Sequence, residues 1–155
     1  MRLRVHMVVG FCIAVAVSLE MNELAALALF NGFISSWLNY VVDRFGHRGP
    51  RRVPFMHSVL GVTLLCLALG IATYIASSST RLALEVFVPV YAGALSHILL
   101  DSFTSAGVYP LYPFSKRKLS LARVRYDSSV ANAVAVVLAL LLVMVIALAK
   151  MGLLR

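Results

Sequence analysis

From Val130 to Ala149 the chain is built from Ala, Val, Leu, Ile and Met, interrupted only by Asn132. A run of that length as a helix crosses the ~30 Å of a bilayer's hydrocarbon. Four more segments are predominantly apolar, over about 5–19, 24–42, 55–76 and 82–100. The first is somewhat under the ~20 residues usually needed. In hydrocarbon every backbone N–H and C=O must be paired within the protein, so such runs become helices or a closed barrel. Alternation with period two is absent from these long runs, and helices follow. Composition agrees: 61% hydrophobic and 13% charged, against roughly 45–50% and about 25% for soluble domains. The expectation is an all-α, polytopic helical membrane protein with about five transmembrane helices. Residues 1–155 read as a single membrane-embedded domain with spans at about 5–19, 24–42, 55–76, 82–100 and 130–149.

Arg2 and Arg4 ahead of a short apolar run resemble a signal peptide. The following Ser18-Leu19-Glu20-Met21-Asn22 is a poor small-residue cleavage site, so this run reads as a retained first span. Cys12 and Cys66 lie inside apolar runs and read as small buried hydrophobes, not as a disulfide or thiolate site.

A formal charge of +8 invites a nucleic-acid reading, but its placement fits topology. With the N-terminus in the cytoplasm, eleven basic residues fall on the cytoplasmic side: Arg2, Arg4, Arg44, Arg48, Arg51, Arg52, Lys116, Arg117, Lys118, Arg123 and Arg125. Three fall outside: Arg81, Lys150 and Arg155. That bias follows the positive-inside rule and puts the protein in the cytoplasmic membrane, in contact with the lipid bilayer and without a nucleic-acid partner. It also orders the titratable residues. His6 opens the first span, Asp43 and His47 follow the second, His57 opens the third, and His97 and Asp101 close the fourth. All therefore converge on the cytoplasmic side, while Glu20, Glu23 and Glu85 fall near the outer face. His97 and Asp101, four apart, share a helix face.

Ionisable groups at membrane depth are costly and call for a reason. A salt-bridged pair locking two helices is one. A metal site is another, since imidazole nitrogens with carboxylate oxygens suit zinc, manganese or non-haem iron rather than calcium. The expected metal ligands are His6, Asp43, His57, His97 and Asp101, holding a divalent ion, with zinc favoured and manganese or iron as alternatives. His47 is a further ligand or a general acid/base, Arg48, Arg51 and Arg125 are candidates to hold substrate anions, and Ser102 and Thr104 to orient water or ligands.

Several stretches carry a family resemblance: Asp43-Arg44-Phe45-Gly46-His47-Arg48-Gly49, Met56-His57-Ser58, and Ser96-His97-Ile98-Leu99-Leu100-Asp101 with Thr104, Gly107 and Pro113-Phe114. They resemble the membrane-bound metal-dependent hydrolases that include the YdjM-like inner-membrane proteins of bacteria. Arg4-Val5-His6, Ala122 to Asp127 and Asn132 resemble a shorter archaeal branch. The bacterial pattern has an Asp-rich motif and then a compact His-Arg-Gly-x-x-His-Ser. Here Asp43 stands alone, and a longer insert separates His47-Arg48-Gly49 from His57-Ser58, so either His47 or Arg51 takes the family position. The resemblance implies a metal-dependent hydrolase. A His/Asp site at the cytoplasmic interface and the nearby arginines point to a lipid-linked or phosphate-bearing substrate. A metal-ion or proton transporter and a non-catalytic adaptor are the alternatives.

Overall fold

Each apolar run forms one helix, and its ends are set by the residues that cap it. In the computed structural model, residues 1–48 and 51–153 are described, with the backbone alone for His47, Arg48, Arg51 and Arg52. The helices are α1 (Leu3–Glu20), α2 (Ala25–Phe45), α3 (Val59–Ser77), α4 (Thr80–Ser102) and α5 (Ser129–Lys150). All five are long and apolar enough to cross a membrane. Between α2 and α3, β1 (His47–Arg48) and β2 (Arg51–Arg52) pair antiparallel, with His47 opposite Arg52. This two-residue pairing leaves the fold helical.

The third helix starts later than residue 55. Ser58 is its N-cap, accepting from the Gly61 N–H at 3.1 Å while donating to the Phe55 carbonyl at 2.7 Å. Pro54 and His57 thus lie on the turn ahead of α3, not inside it. Ser79 and Ser128 cap α4 and α5 in the same manner, accepting from Leu82 and Ala131. Each cap satisfies one of the N–H groups that a helix start leaves without an internal partner.

Helix α1 packs on α2, α4 and α5, while α4 packs on α1, α2 and α3. The inner trio is therefore α1, α2 and α4. The outer helices expose Ile71 and Ile75 on α3 and Val137, Leu138 and Val145 on α5. Such faces suit lipid tails, which are as apolar as the side chains themselves.

The trio is joined by polar groups spaced four apart, one per turn along one face. On α2 these are Asn31, Ser35 and Asn39, all fully buried. Ser35 Oγ donates to the Gly10 carbonyl of α1 at 3.0 Å. Asn39 Nδ2 donates to the Gly93 carbonyl of α4 at 3.2 Å. Asn31 Nδ2 reaches the Glu85 carbonyl at 2.9 Å, and also Ser18 Oγ and Glu23 Oε2, each at 3.0 Å. The Glu85 carbonyl needs this partner because Pro89, four residues on, has no N–H to offer it. Gly10 and Gly93 let the backbones of α1 and α4 meet: a Cβ on Gly10 would fall on Asn39, and one on Gly93 would fall on Ser35 and the Gly10 carbonyl.

Two predictions follow from this seam. Asn31→Leu leaves the Glu85 carbonyl unpaired and should destabilise the protein by about 1–2 kcal/mol, near the top of the range for such bonds in membranes. In a Pro89→Ala background the loss should shrink, because the new N–H supplies the missing donor; denaturant unfolding in micelles measures both. At the far end, burial pushes the Glu23 carboxyl above its ordinary 4.5, and the Glu85 charge adds to this, against hydrogen bonds from Ser18 and Asn31. The folded state then keeps this proton to higher pH than the unfolded chain. Its contribution is fully present below the ordinary value and is lost as pH rises through the raised one. Wild-type thermal stability should therefore fall relative to that of Glu23→Gln as the pH rises through and above that range, and a pH-independent difference would contradict this.

Candidate metal centre

The seam ends in a cluster of donors, because the same four-residue steps continue. Along α2, Asn31, Ser35 and Asn39 lead to Asp43; along α4, Gly93 leads to His97 and Asp101; along α1, Gly10 leads back to His6. His57 joins from the turn ahead of α3. His6, His57, His97 and Asp101 are each at most 1% exposed, while Asp43 is half-buried.

The carboxylate of Asp101 lies at the middle. Its Oδ1 is 3.2 Å from His6 Nε2. Its Oδ2 is 3.6 Å from His97 Nε2 and 3.9 Å from His57 Nε2. The His6 and His97 rings stack with centroids 4.0 Å apart and planes 21° from parallel. His57 is tilted to His97 by 58° at 5.2 Å. The two longer separations exceed a good N–H···O bond. The 3.6 Å separation is that of neighbouring donors around one ion, since bonds of ~2.0–2.2 Å in a tetrahedron set donors about 3.3–3.6 Å apart, and the 3.9 Å separation is somewhat wider.

Two groups of three have donor atoms within 4.8 Å of one another: His6, His97 and Asp101, and Asp43, His57 and His97. Each is able to hold a metal ion, and the donor set fits zinc, manganese or iron. Two further observations fit a ligand role. His57 Nδ1 lies 3.4 Å from the Val53 carbonyl, and a metal-bound imidazole generally gives its second nitrogen to such an acceptor. His6 Nδ1 is buried without a hydrogen-bond partner among the described residues.

The end of α4 is built to hold Asp101 in place. Thr104 donates to the Asp101 carbonyl through its N–H at 3.1 Å and its hydroxyl at 2.8 Å. Gly107, at φ +60°, then turns the chain so that Val108 pairs with Leu119. Leu121 N–H bonds the Ser102 carbonyl at 2.7 Å. The hydroxyls of Ser102 and Thr104 both go to helix carbonyls, Leu99 and Asp101, so they act on the backbone that carries the donors. Arg125 forms a two-pronged pair with Asp127 on the exposed surface, at 3.1 and 3.0 Å, which lowers the Asp127 pKa. The side chains of His47, Arg48 and Arg51 lie outside the described residues.

Two features of the centre carried no warning in the sequence. Gly46 lets its backbone lie against the His57 ring; a Cβ there would collide with Cε1 and sit 2.8 Å from Nδ1. The glycine belongs to the Phe45-Gly46-His47 motif, which is the one signal that was available. The other is the Met1 nitrogen, 2.9 Å from Asp101 Oδ1.

Residues 1–153 match a family described as YdjM inner membrane protein. The chain belongs to that family. No curated protein and no solved structure matches it. Family membership and five apolar helices together make it a multi-pass protein of the cytoplasmic membrane, in contact with lipid.

Because the Gly46 backbone leaves only the space His57 occupies, Gly46→Ala should displace that ring. We expect metal affinity to fall by roughly 10–100-fold, as for loss of other groups that orient ligands. Titration with zinc or manganese measures it, with a circular-dichroism spectrum to show that the helices persist.

Proposed function

We propose that this protein is a membrane-embedded, metal-dependent hydrolase whose centre opens at the cytoplasmic interface. The observation that carries the reading is the meeting of His6, Asp43, His57, His97 and Asp101, drawn from α1, α2, the turn before α3, and α4. Three imidazoles and a carboxylate, all without solvent exposure, are costly to gather unless a ligand repays the burial. These five residues would hold the ion. When bound, a divalent ion brings Lewis-acid chemistry and lowers the pKa of water from about 15.7 toward neutrality.

The chain's own residues then supply position. Asp101 is fixed by Thr104, and His57 is oriented by Val53 and Gly46. In this reading His47 serves as a further ligand or a general acid/base, and Arg48, Arg51 and Arg125 hold an anionic substrate, Arg125 by exchanging Asp127 for it. A lipid-linked or phosphate-bearing molecule is the class that suits them, because guanidinium groups match phosphate oxygens in geometry and charge.

The polar seam through α1, α2 and α4 favours a second reading, since a transporter needs such a path. Packing argues against it. Gly10 and Gly93 bring two backbones together at mid-seam, with Ser35 and Asn39 filling what space they leave.

The test is metal content and turnover on one purified preparation. Wild type should retain zinc or manganese after gel filtration and release inorganic phosphate from vesicles containing a phospholipid with a terminal phosphate monoester. His97→Ala/Asp101→Ala should lose both. Equal, negligible metal in wild type and variant would end the proposal, and metal-dependent ion flux into liposomes without hydrolysis would favour the transporter.

A further inference from the structure

Resting on the metal-centre reading above, we infer that the centre is built for two ions, bridged by the Asp101 carboxylate, and that it therefore selects an anionic, phosphate-type group. The first support is the way Asp101 divides its oxygens. Oδ1 faces the Met1 nitrogen at 2.9 Å and His6 Nε2 at 3.2 Å, whereas Oδ2 faces His97 Nε2 at 3.6 Å and His57 Nε2 at 3.9 Å. A carboxylate serving one ion end-on presents one oxygen to the donors around it. A bridging carboxylate presents each oxygen to a different set.

The second support is the number of donors. A catalytic zinc takes three protein ligands and keeps a position open. Here five side chains form two overlapping trios that share His97. The oxygens of Asp101 decide the division: Oδ2 joins the trio of Asp43, His57 and His97, and Oδ1 with His6 is left for the other ion. The His6 set is then far from saturated, which is the condition for binding a substrate. Two-metal sites of this kind hold ions roughly 3.5–4 Å apart and clamp the attacking and leaving oxygens of a displacement between them. The ring arrangement suits two directions of approach: His6 stacks on His97, while His57 meets the same ring at a 58° tilt.

The third consideration is charge. Two carboxylates do not neutralise two divalent ions, so the loaded centre keeps a net positive charge in a buried setting. Such a centre favours an anion with several oxygens over a neutral ester or amide, and a phosphate ester has this form.

The experiment counts ions without relying on turnover. Protein in detergent micelles is stripped with chelator, saturated with Mn²⁺, freed of excess by gel filtration, and examined by elemental analysis and low-temperature electron paramagnetic resonance. Wild type should carry two ions per chain and give the multiline spectrum of a coupled pair. His6→Gln and Asp43→Asn should each reduce the count to one, with an uncoupled six-line spectrum. Asp101→Asn should abolish coupling. Inorganic phosphate should perturb the wild-type spectrum and leave the one-ion variants less affected. One ion per chain at saturation in wild type, with a six-line spectrum, would overturn the two-ion inference while leaving the metal centre standing. No retained ion would overturn both. Circular dichroism of each variant separates loss of a ligand from loss of the fold.

Discussion

The contact on which the rest of the structure depends is the meeting of the α1 and α4 backbones at Gly10 and Gly93. Any side chain at either position would strike the other helix or the polar groups of α2. The two helices run antiparallel, so one turn beyond this contact His6 comes level with His97. The rings stack there at 4.0 Å. Helices separated by ordinary side chains have axes 8–10 Å apart, and at the wider spacings the imidazoles would not share the Asp101 carboxylate. The glycines thus set the geometry of the centre without touching it. Asn39 and Ser35 hold the contact closed, bonding the carbonyls of Gly93 and Gly10 themselves.

The centre in turn ties down what the inner trio leaves loose. Helix α3 packs chiefly on α4, and lipid-facing helices gain little from apolar contact alone, since the tails are equally apolar. Its N-terminal approach is held by polar links. The Val59 N–H bonds the Pro110 carbonyl at 2.9 Å, Ser58 caps the helix, and His57 reaches toward Asp101. A metal ion bound to donors from four segments would therefore act as folding energy as well as chemistry. Isolated charges buried in such a place cost several kcal/mol each even after relaxation. Collecting the donors in one place lets one ion or an ion pair offset all of them.

Much of this was legible in the chain, and for identifiable reasons. Five apolar runs determine five helices because the bilayer leaves the backbone few alternatives. The positive-inside bias then orders the helix ends, which is enough to group His6, Asp43, His57, His97 and Asp101 on one side. What escaped notice depends on pairs far apart in the chain. Pro89 frees a carbonyl that Asn31 answers, and nothing local to either residue reveals the match. Gly10 and Gly93 read as ordinary small residues in apolar helices until their partners are known. Glu23 and Glu85 looked unrelated to the histidines; they do lie at the opposite end, yet Asn31 connects them to the seam that leads there. The start of α3, expected at about 55, lies at Val59 because Ser58 caps it, and a Ser followed by apolar residues is itself a capping signal.

The depth of the centre bears on what reaches it. Its donors lie in the last turns of α2 and α4 and near the start of α1, the level of a bilayer's headgroups for helices of this length. Around that end the chain exposes Phe45, Leu111, Phe114 and Tyr126 together with Lys116, Arg117, Lys118 and Arg123. Aromatic and cationic side chains in one band suit the headgroup layer, where rings sit among the glycerol groups and cations pair with lipid phosphates at about 1 kcal/mol each. A phosphate ester carried on a membrane lipid would meet the centre at its own level, without leaving the bilayer. A soluble phosphate ester would have to approach through the basic loops. The same arginines that report the orientation of the protein also raise the local concentration of anions beside the buried histidines. Under the proposed function, topology and substrate capture would be two consequences of one charge distribution.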